Sequence, residues 1–300
     1  MTYQYLVHRN LSTQQVAHNF EAFSFPSFVQ KSKVRNLQEP FFVIEALWGK
    51  ERIGAAILEL LPQKKMMKVL SLKVTDTHRH KGIGSQLLKI AEQIAQNHHL
   101  TNMIILFQDN WDSIKIMPKL LAKNAWQTPQ EKLVMLKLHY NQIKDLPWFQ
   151  IKEYPQNFKA SLWAELSPEN MAYIQEKQKN ENWYPEMLSP FQLPHILEKN
   201  SSLVLWHENE IVGWLITHLV TTKTIQITSL FVDNAYRNTK ASIAIIANAV
   251  ERFYQSEVAE QAIFMFNASN ETMKTMSKKI AGEHNKGAFV RVMGCQKILV

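Results

Sequence analysis

The residues whose types and spacing could do chemistry are Arg79-His80-Lys81-Gly82-Ile83-Gly84-Ser85. They follow an extended segment ending in Leu72-Lys73-Val74 and lead into an amphipathic run that begins at Gln86. A strand that feeds a helix through glycines gathers unsatisfied backbone N–H groups at the helix N-terminus, where the helix dipole is positive. Such a concavity binds an anion, usually a phosphate. Gly82 and Gly84 let the backbone approach the anion closely or take a positive φ cheaply. Arg79 and Lys81 add cationic donors at its mouth. Two glycines this close also occur in plain strand–helix turns, so the stretch alone defines only a phosphate-shaped hole.

The elements that position this turn follow from periodicity. Residues 3–9 alternate as a first strand, and Ser12 with Gln15 forms a capping box for a helix through about residue 22. A second helical segment is expected between residues 23 and 40. Residues 41–48 and 52–61 form a hairpin across Gly49-Lys50-Glu51, and residues 66–75 form the strand that enters the turn. Residues 85–99 carry a helical apolar stripe, 102–107 read as a buried strand, 112–124 as a helix kinked at Pro118, and 132–139 as a strand. The polar segment 140–147 ends in proline and reads as a linker.

Beyond it the order recurs. A strand is expected at 148–154, helices at 156–180, interrupted at Ser167-Pro168, and at 190–199, and a hairpin at 202–207 and 211–219. A strand at 224–232, a helix at 239–254, a strand at 262–266, a helix at 271–280 and closing strands at 288–300 complete the pattern. Ser71-Leu72-Lys73-Val74 with His78-Arg79 aligns without gaps to Ser229-Leu230-Phe231-Val232 with Tyr236-Arg237, at an offset of 237 − 79 = 158. Gly54 and Gly213 align at 213 − 54 = 159, and residues 104–107 align with 263–266 at that offset. This is an internal repeat, and it divides the chain into domains 1–145 and 146–300.

Composition bounds the function without choosing it. Three hundred residues suit two domains, and 46% hydrophobic with 20% charged residues suits a soluble globular chain. The single cysteine, Cys295, excludes an intramolecular disulfide framework and a cysteine-based zinc site, and fits a reducing compartment. It reads as a small buried residue. No signal peptide or apolar span is recognisable, so a cytoplasmic location is expected, although a receptor-read secretion signal need not resemble a signal peptide. The net charge of +8 suits a polyanionic ligand, but its lysines and arginines are scattered, so no nucleic-acid or membrane partner is expected. His78 and His80 lack a third ligand, so no metal is expected.

Arg79-His80-Lys81-Gly82-Ile83-Gly84 fits the pattern Arg/Gln-x-x-Gly-x-Gly/Ala of the GNAT N-acetyltransferase superfamily, and with the repeat the chain resembles a tandem pair of GNAT domains. The resemblance implies an α/β fold in each half: a mixed, mostly antiparallel sheet whose fourth and fifth strands splay apart, flanked by helices. It implies acetyl-coenzyme A in that gap, with pantetheine along Leu72, Lys73 and Val74 and pyrophosphate cradled by Arg79, His80, Lys81, Gly82, Ile83, Gly84 and Ser85. In the second copy the corresponding candidates are Leu230, Val232, Arg237, Lys240, Ser242 and Asn270, but Lys240 and Ser242 replace both glycines.

The implied chemistry is transfer of an acetyl group to a primary amine of a small molecule, a peptide or a protein lysine, by direct attack. It needs a base for the amine, an oxyanion stabiliser and an acid for the leaving thiolate. The family's strand-four glutamate is replaced by Lys68 and Gln226, which leaves Glu59 and Asp76 as displaced candidates. The family's tyrosine acid is replaced by Leu121 and Ser277, so neither copy shows the usual acid. The alternative is a catalytically silent coenzyme A-binding or protein-interaction module. The aromatic stretch from Trp148 to Phe191 reads as core packing. Two domains in one chain can replace a dimer, and the sequence sets no oligomeric state.

Overall fold

A computed structural model describes residues 2–25, 40–237, 239–282 and 286–299. The strands are β1 (Tyr3–Leu11), β2 (Phe41–Trp48), β3 (Glu51–Leu61), β4 (Met66–Val74), β5 (Asn102–Gln108), β6 (Gln130–His139), β7 (Phe158–Leu162), β8 (Leu203–His207), β9 (Glu210–Thr221), β10 (Thr224–Val232), β11 (Gln261–Asn267) and β12 (Phe289–Ile298). The helices among the described residues are α1 (Thr13–Asn19), α2 (Ile83–Asn97), α3 (Met117–Lys123), α4 (Tyr140–Ile143), α5 (Pro168–Glu181), α6 (Ala241–Gln255) and α7 (Glu271–Ala281). The helical segment expected between residues 23 and 40 lies largely outside the described residues.

Contacts divide the chain into two compact units, residues 1–134 with 290–300, and residues 135–289. These units do not coincide with a boundary at 145/146. The segment 140–147 is not a solvated linker, because Ile143 is buried in the core of the second unit. The last strand of the chain belongs to the first unit, where residues 292–298 pair antiparallel with β5.

In the first unit the sheet runs β1-β2-β3-β4-β5-β12. β1 to β4 are antiparallel neighbours, and β4 meets β5 in parallel. That parallel pairing covers only Met66–Val69 against Asn102–Ile105, after which the strands part. At the same level the register of β3 against β4 shifts, with Ile57 opposite Ser71 and Leu58 opposite Val69. Leu70 is thus a bulge, which bends the strand and aids the parting. Apolar side chains of α2, among them Leu87, Leu88 and Ala91, pack one face of this sheet with Ile44, Leu58 and Met67. The other face is covered by Val16 of α1 and by Phe20, the C-cap of that helix.

The second unit repeats the plan. From β11 the order is β11-β10-β9-β8-β7, with β6 beside β11. β10 and β11 pair in parallel only over residues 224–227 and 261–264, then part. Its bulge falls at Thr228, since Ile227 opposes Thr217 and Ser229 opposes Ile216. Leu70 and Thr228 stand 228 − 70 = 158 apart, the offset of the sequence repeat. Each unit is therefore a mixed, mostly antiparallel α/β sheet with one splayed parallel pair.

Four local expectations fail for local reasons. The strand expected at 148–154 is a 3-10 turn, Pro147–Gln150, because Pro147 fixes φ and supplies no N–H. The helix expected at 156–180 starts only at Pro168, behind an Ser167 cap, and β7 takes up residues 158–162. The helix expected at 190–199 shrinks to a 3-10 turn, Pro194–Ile196, preceded by Leu193 at φ 49°. Pro118 does not kink a helix but sits in the first turn of α3, where its missing N–H costs nothing.

Candidate functional site

The glycine turn of the first unit lies at the end of β4, beyond the point where β5 departs. Gly82 is the N-cap of α2 and has φ 83°, ψ −4°. His80 also has a positive φ, 62°. No side chain caps α2, and a Cβ on Gly82 would meet nothing within 4 Å. Here glycine serves the backbone angle and leaves the surface above the first helical turn clear. Gly84 has a different environment: a Cβ there would meet Leu120 of α3 at 3.4 Å, an ordinary contact. Ile83 is buried, and Ser85 Oγ accepts from Asn124 Nδ2 at 3.1 Å. Lys81 is exposed.

Arg79 holds the turn as well as charging it. Its Nε donates to the Val74 carbonyl at 3.3 Å and its Nη2 pairs with Asp76 Oδ1 at 2.7 Å. Arg237 makes the same bond, Nε to the Val232 carbonyl, at 3.1 Å. The residue before each arginine is clamped by rings. His78 packs against Tyr3 and Trp48, with centroids 6.4 and 6.3 Å away. Tyr236 packs against Phe158 and His207, at 5.5 and 4.8 Å. Both units thus tie their turn to the first strand and to the end of the second, with different rings doing the same work.

The side chains of Leu72 and Val74 pack into the core, and Lys73 Nζ donates to the Ala22 carbonyl at 2.7 Å. What this stretch offers toward β5 is backbone, left without a strand partner on that side by the splay. Glu59 is buried and lies directly across from Lys68, its Oε2 3.2 Å from the ammonium. Asp76 is exposed and engaged by Arg79. Leu121 is fully buried, and Ser277 is buried with its hydroxyl donated to the Lys274 carbonyl at 2.9 Å. Neither replaces the tyrosine.

The turn of the second unit is built otherwise. Lys240 has φ −69°, ψ −6°, a right-handed conformation that needs no glycine. Thr239 Oγ1 accepts from Ala241 N at 3.3 Å, and Ser242 Oγ donates to the Thr239 carbonyl at 3.4 Å. The start of α6 is therefore partly satisfied by its own chain. Asn270 caps α7 by accepting from Met273 N at 3.0 Å, which accounts for its place in the pattern without a ligand. Leu230 and Val232 face the core. Asn238 lies outside the described residues.

Two polar groups escaped the sequence reading. Glu45 on β2 is buried, accepting from His8 Nε2 at 2.8 Å and from Arg52 Nε at 2.5 Å. Burial pushes its carboxyl up, but the hydrogen bonds and charges of Arg52 and His8 more than offset this and hold it below the ordinary glutamate value. His218 is fully buried on β9, with Nδ1 2.7 Å from the bulge hydroxyl Thr228 Oγ1. It opposes Gln226 as Glu59 opposes Lys68, and 218 − 59 = 159 is an offset legible in the repeat. Much of the aromatic stretch is core: Trp163 and Tyr184 are buried around Trp214, with centroids 6.4 and 4.9 Å from it, whereas Tyr173 is exposed. Cys295 is buried, its Sγ 2.7 Å from the Gln127 carbonyl, and burial pushes its thiol up.

Two units, each with a splayed parallel pair and a turn into a helix where the strands part, define the GNAT fold class. The model of the "Acetyltransferase (GNAT) family" matches residues 9–120 and again 163–272. The chain belongs to the GNAT family, in its tandem form. Among solved structures it is similar to a tandem GNAT protein from the clavulanic acid biosynthesis pathway, at 12% identity and TM-score 0.70, covering 99% of each chain. It is similar too to a GCN5-related N-acetyltransferase from Sphaerobacter thermophilus, at 15% identity and TM-score 0.63, covering 98% of this chain and 96% of that one. No curated protein matches the sequence. These identities speak to fold. Among the described residues no helix is long and apolar enough to cross a membrane.

Proposed function

We propose that the chain is an acetyl-coenzyme A-dependent N-acetyltransferase whose first unit holds the donor and whose acceptor is a primary amine. The observation that carries this reading is the uncapped start of α2, with Gly82 at φ 83° and open space above it, at the end of a strand that β5 has left. Its first-turn N–H groups suit a pyrophosphate, and the freed edge of β4 from Leu70 to Val74 suits the amides of a pantetheine arm, as in strand addition. Acetyl-coenzyme A supplies an activated thioester; the chain positions it and manages protons. Glu59, beside Lys68 and close in register to the bulge, takes the proton of the attacking amine. Asp76 is the second candidate, exposed and paired with Arg79 as Glu59 is paired with Lys68. A backbone N–H near Val74 receives the developing oxyanion. The amine nitrogen bonds to the acyl carbon, the carbon–sulfur bond breaks, and solvent protonates the thiolate.

A silent binding module is favoured by one observation, that Leu121 and Ser277 are both buried and neither can serve as the acid. Calorimetric titration with acetyl-coenzyme A, followed by a thiol-release assay over a panel of amines, separates the readings. Binding with turnover supports the enzyme. Binding without turnover on any amine supports a silent coenzyme A-binding module, and absence of binding contradicts the donor site and leaves the protein-interaction module.

A further inference from the structure

We propose that Ser71 is a positioning residue: its hydroxyl latches the freed stretch of β4 onto a 3-10 turn, and this latch sets how tightly the freed edge holds a ligand. Past Val69, β4 keeps only β3 as a strand neighbour among the described residues. Leu72 and Val74 secure one face of the stretch by packing into the core. Ser71 and Lys73 share the other face, and both donate to the turn Glu21–Phe23. Ser71 Oγ donates to the Phe23 carbonyl at 2.7 Å, and Lys73 Nζ to the Ala22 carbonyl at 2.7 Å. Phe23 is buried in one cluster with Ile57, against which Leu70 packs, so the turn is itself anchored to the sheet.

The second unit makes the same bond. Ser229, 229 − 71 = 158 residues on, donates its Oγ to the Leu188 carbonyl at 2.6 Å. Leu188 ends the 3-10 turn Glu186–Leu188 as Phe23 ends Glu21–Phe23. The two turns share a pattern, Glu21-Ala22-Phe23-Ser24 and Glu186-Met187-Leu188-Ser189. In each, the serine N–H closes onto the glutamate carbonyl at 3.1 Å. Turn and latching serine are 71 − 23 = 48 residues apart in one unit and 229 − 188 = 41 in the other. The same bond is thus reached through connections of different length. Phe231 stands where the first unit has Lys73, and it packs on Trp183 and Trp214 with centroids 5.3 and 4.7 Å away. With one face in the core, the other latched and one edge on β3, only the edge facing β5 is open. An edge held in ladder geometry before its ligand arrives loses less freedom on strand addition. The ligand in this inference rests on the proposed donor site, whereas the latch can be read without any ligand.

The test joins amide hydrogen exchange of the ligand-free full chain to calorimetric titration with acetyl-coenzyme A. Ser71→Ala should speed exchange across residues 70–74 and 20–25 by about five-fold or more, and weaken acetyl-coenzyme A by about five-fold. Ser71→Thr keeps the hydroxyl and should restore both. Ser229→Ala removes the matching bond from the second unit and should leave donor affinity unchanged, which separates the latch from a general loss of stability. Unchanged exchange in Ser71→Ala overturns the latch. Faster exchange with unchanged affinity overturns its role in binding, and an equal loss of affinity in Ser229→Ala does the same. Wild type that binds no acetyl-coenzyme A contradicts the donor reading and the binding role together, while exchange in Ser71→Ala and Ser71→Thr still decides the latch.

Discussion

At φ 83° Gly82 occupies a conformation that costs an L-residue roughly 1 kcal/mol or more. Gly82→Ala should therefore lower stability to urea by about 1 kcal/mol and weaken acetyl-coenzyme A as the turn deforms. Gly84→Ala should be milder, because its Cβ would make only an ordinary contact with Leu120. If both variants behave alike, the backbone angle is not what the first glycine supplies. Glu45 makes a second prediction. Its carboxyl is held below its ordinary value in the fold, so the stabilisation it gives is present above the unfolded pKa and is lost as pH falls through the folded one. Urea unfolding from about pH 7 to about pH 3 should show the gap between wild type and Glu45→Gln closing in acid. A gap that widens in acid contradicts the assignment.

At the scale of elements, the two hairpin glycines sit where neighbouring strands come closest. A Cβ on Gly213 would lie 2.4 Å from the Phe231 carbonyl oxygen, whereas one on Gly54 would lie 3.1 Å from that of Lys73. Gly213→Ala must push β9 from β10 and should cost several kcal/mol, on the order of 3, and clearly more than Gly54→Ala. Urea denaturation of both variants checks this; equal costs would contradict it. The hairpins, the strand into the glycine turn and the buried strand after it were legible in the sequence, because each is marked by local turn chemistry or by a short apolar run. Residues 148–154 were misread because apolar content there serves a proline-led turn whose Phe149 plugs the core. The turn geometry itself was half legible. Two glycines marked it, but a positive φ at His80 and the carbonyl-bound Nε of Arg79 needed the folded chain. Glu45 and His218 were hidden for another reason: a buried polar residue within an apolar strand is recognised only once its partners from other strands are known.

For the whole molecule, chain order concealed which strands belong together. β12 is last in sequence yet pairs with β5 in the first unit, and no periodicity records such a return. Deleting residues 290–300 should strip β5 of that partner, expose Ile105 and Phe107, and unfold the first unit at lower temperature while the second unit retains its transition; an unchanged melt would contradict the assignment. The repeat shows the division of labour more directly. One unit starts its helix from a left-handed Gly82 with open space above it, the other from a right-handed Lys240 with the Ala241 N–H already taken by Thr239 Oγ1, so a single donor site per chain is expected. Isothermal titration with acetyl-coenzyme A tests this most directly, comparing wild type with folded Gly82→Trp and with Lys240→Gly. The account predicts one site per chain, lost in Gly82→Trp and intact in Lys240→Gly. Binding undiminished by Gly82→Trp would contradict it.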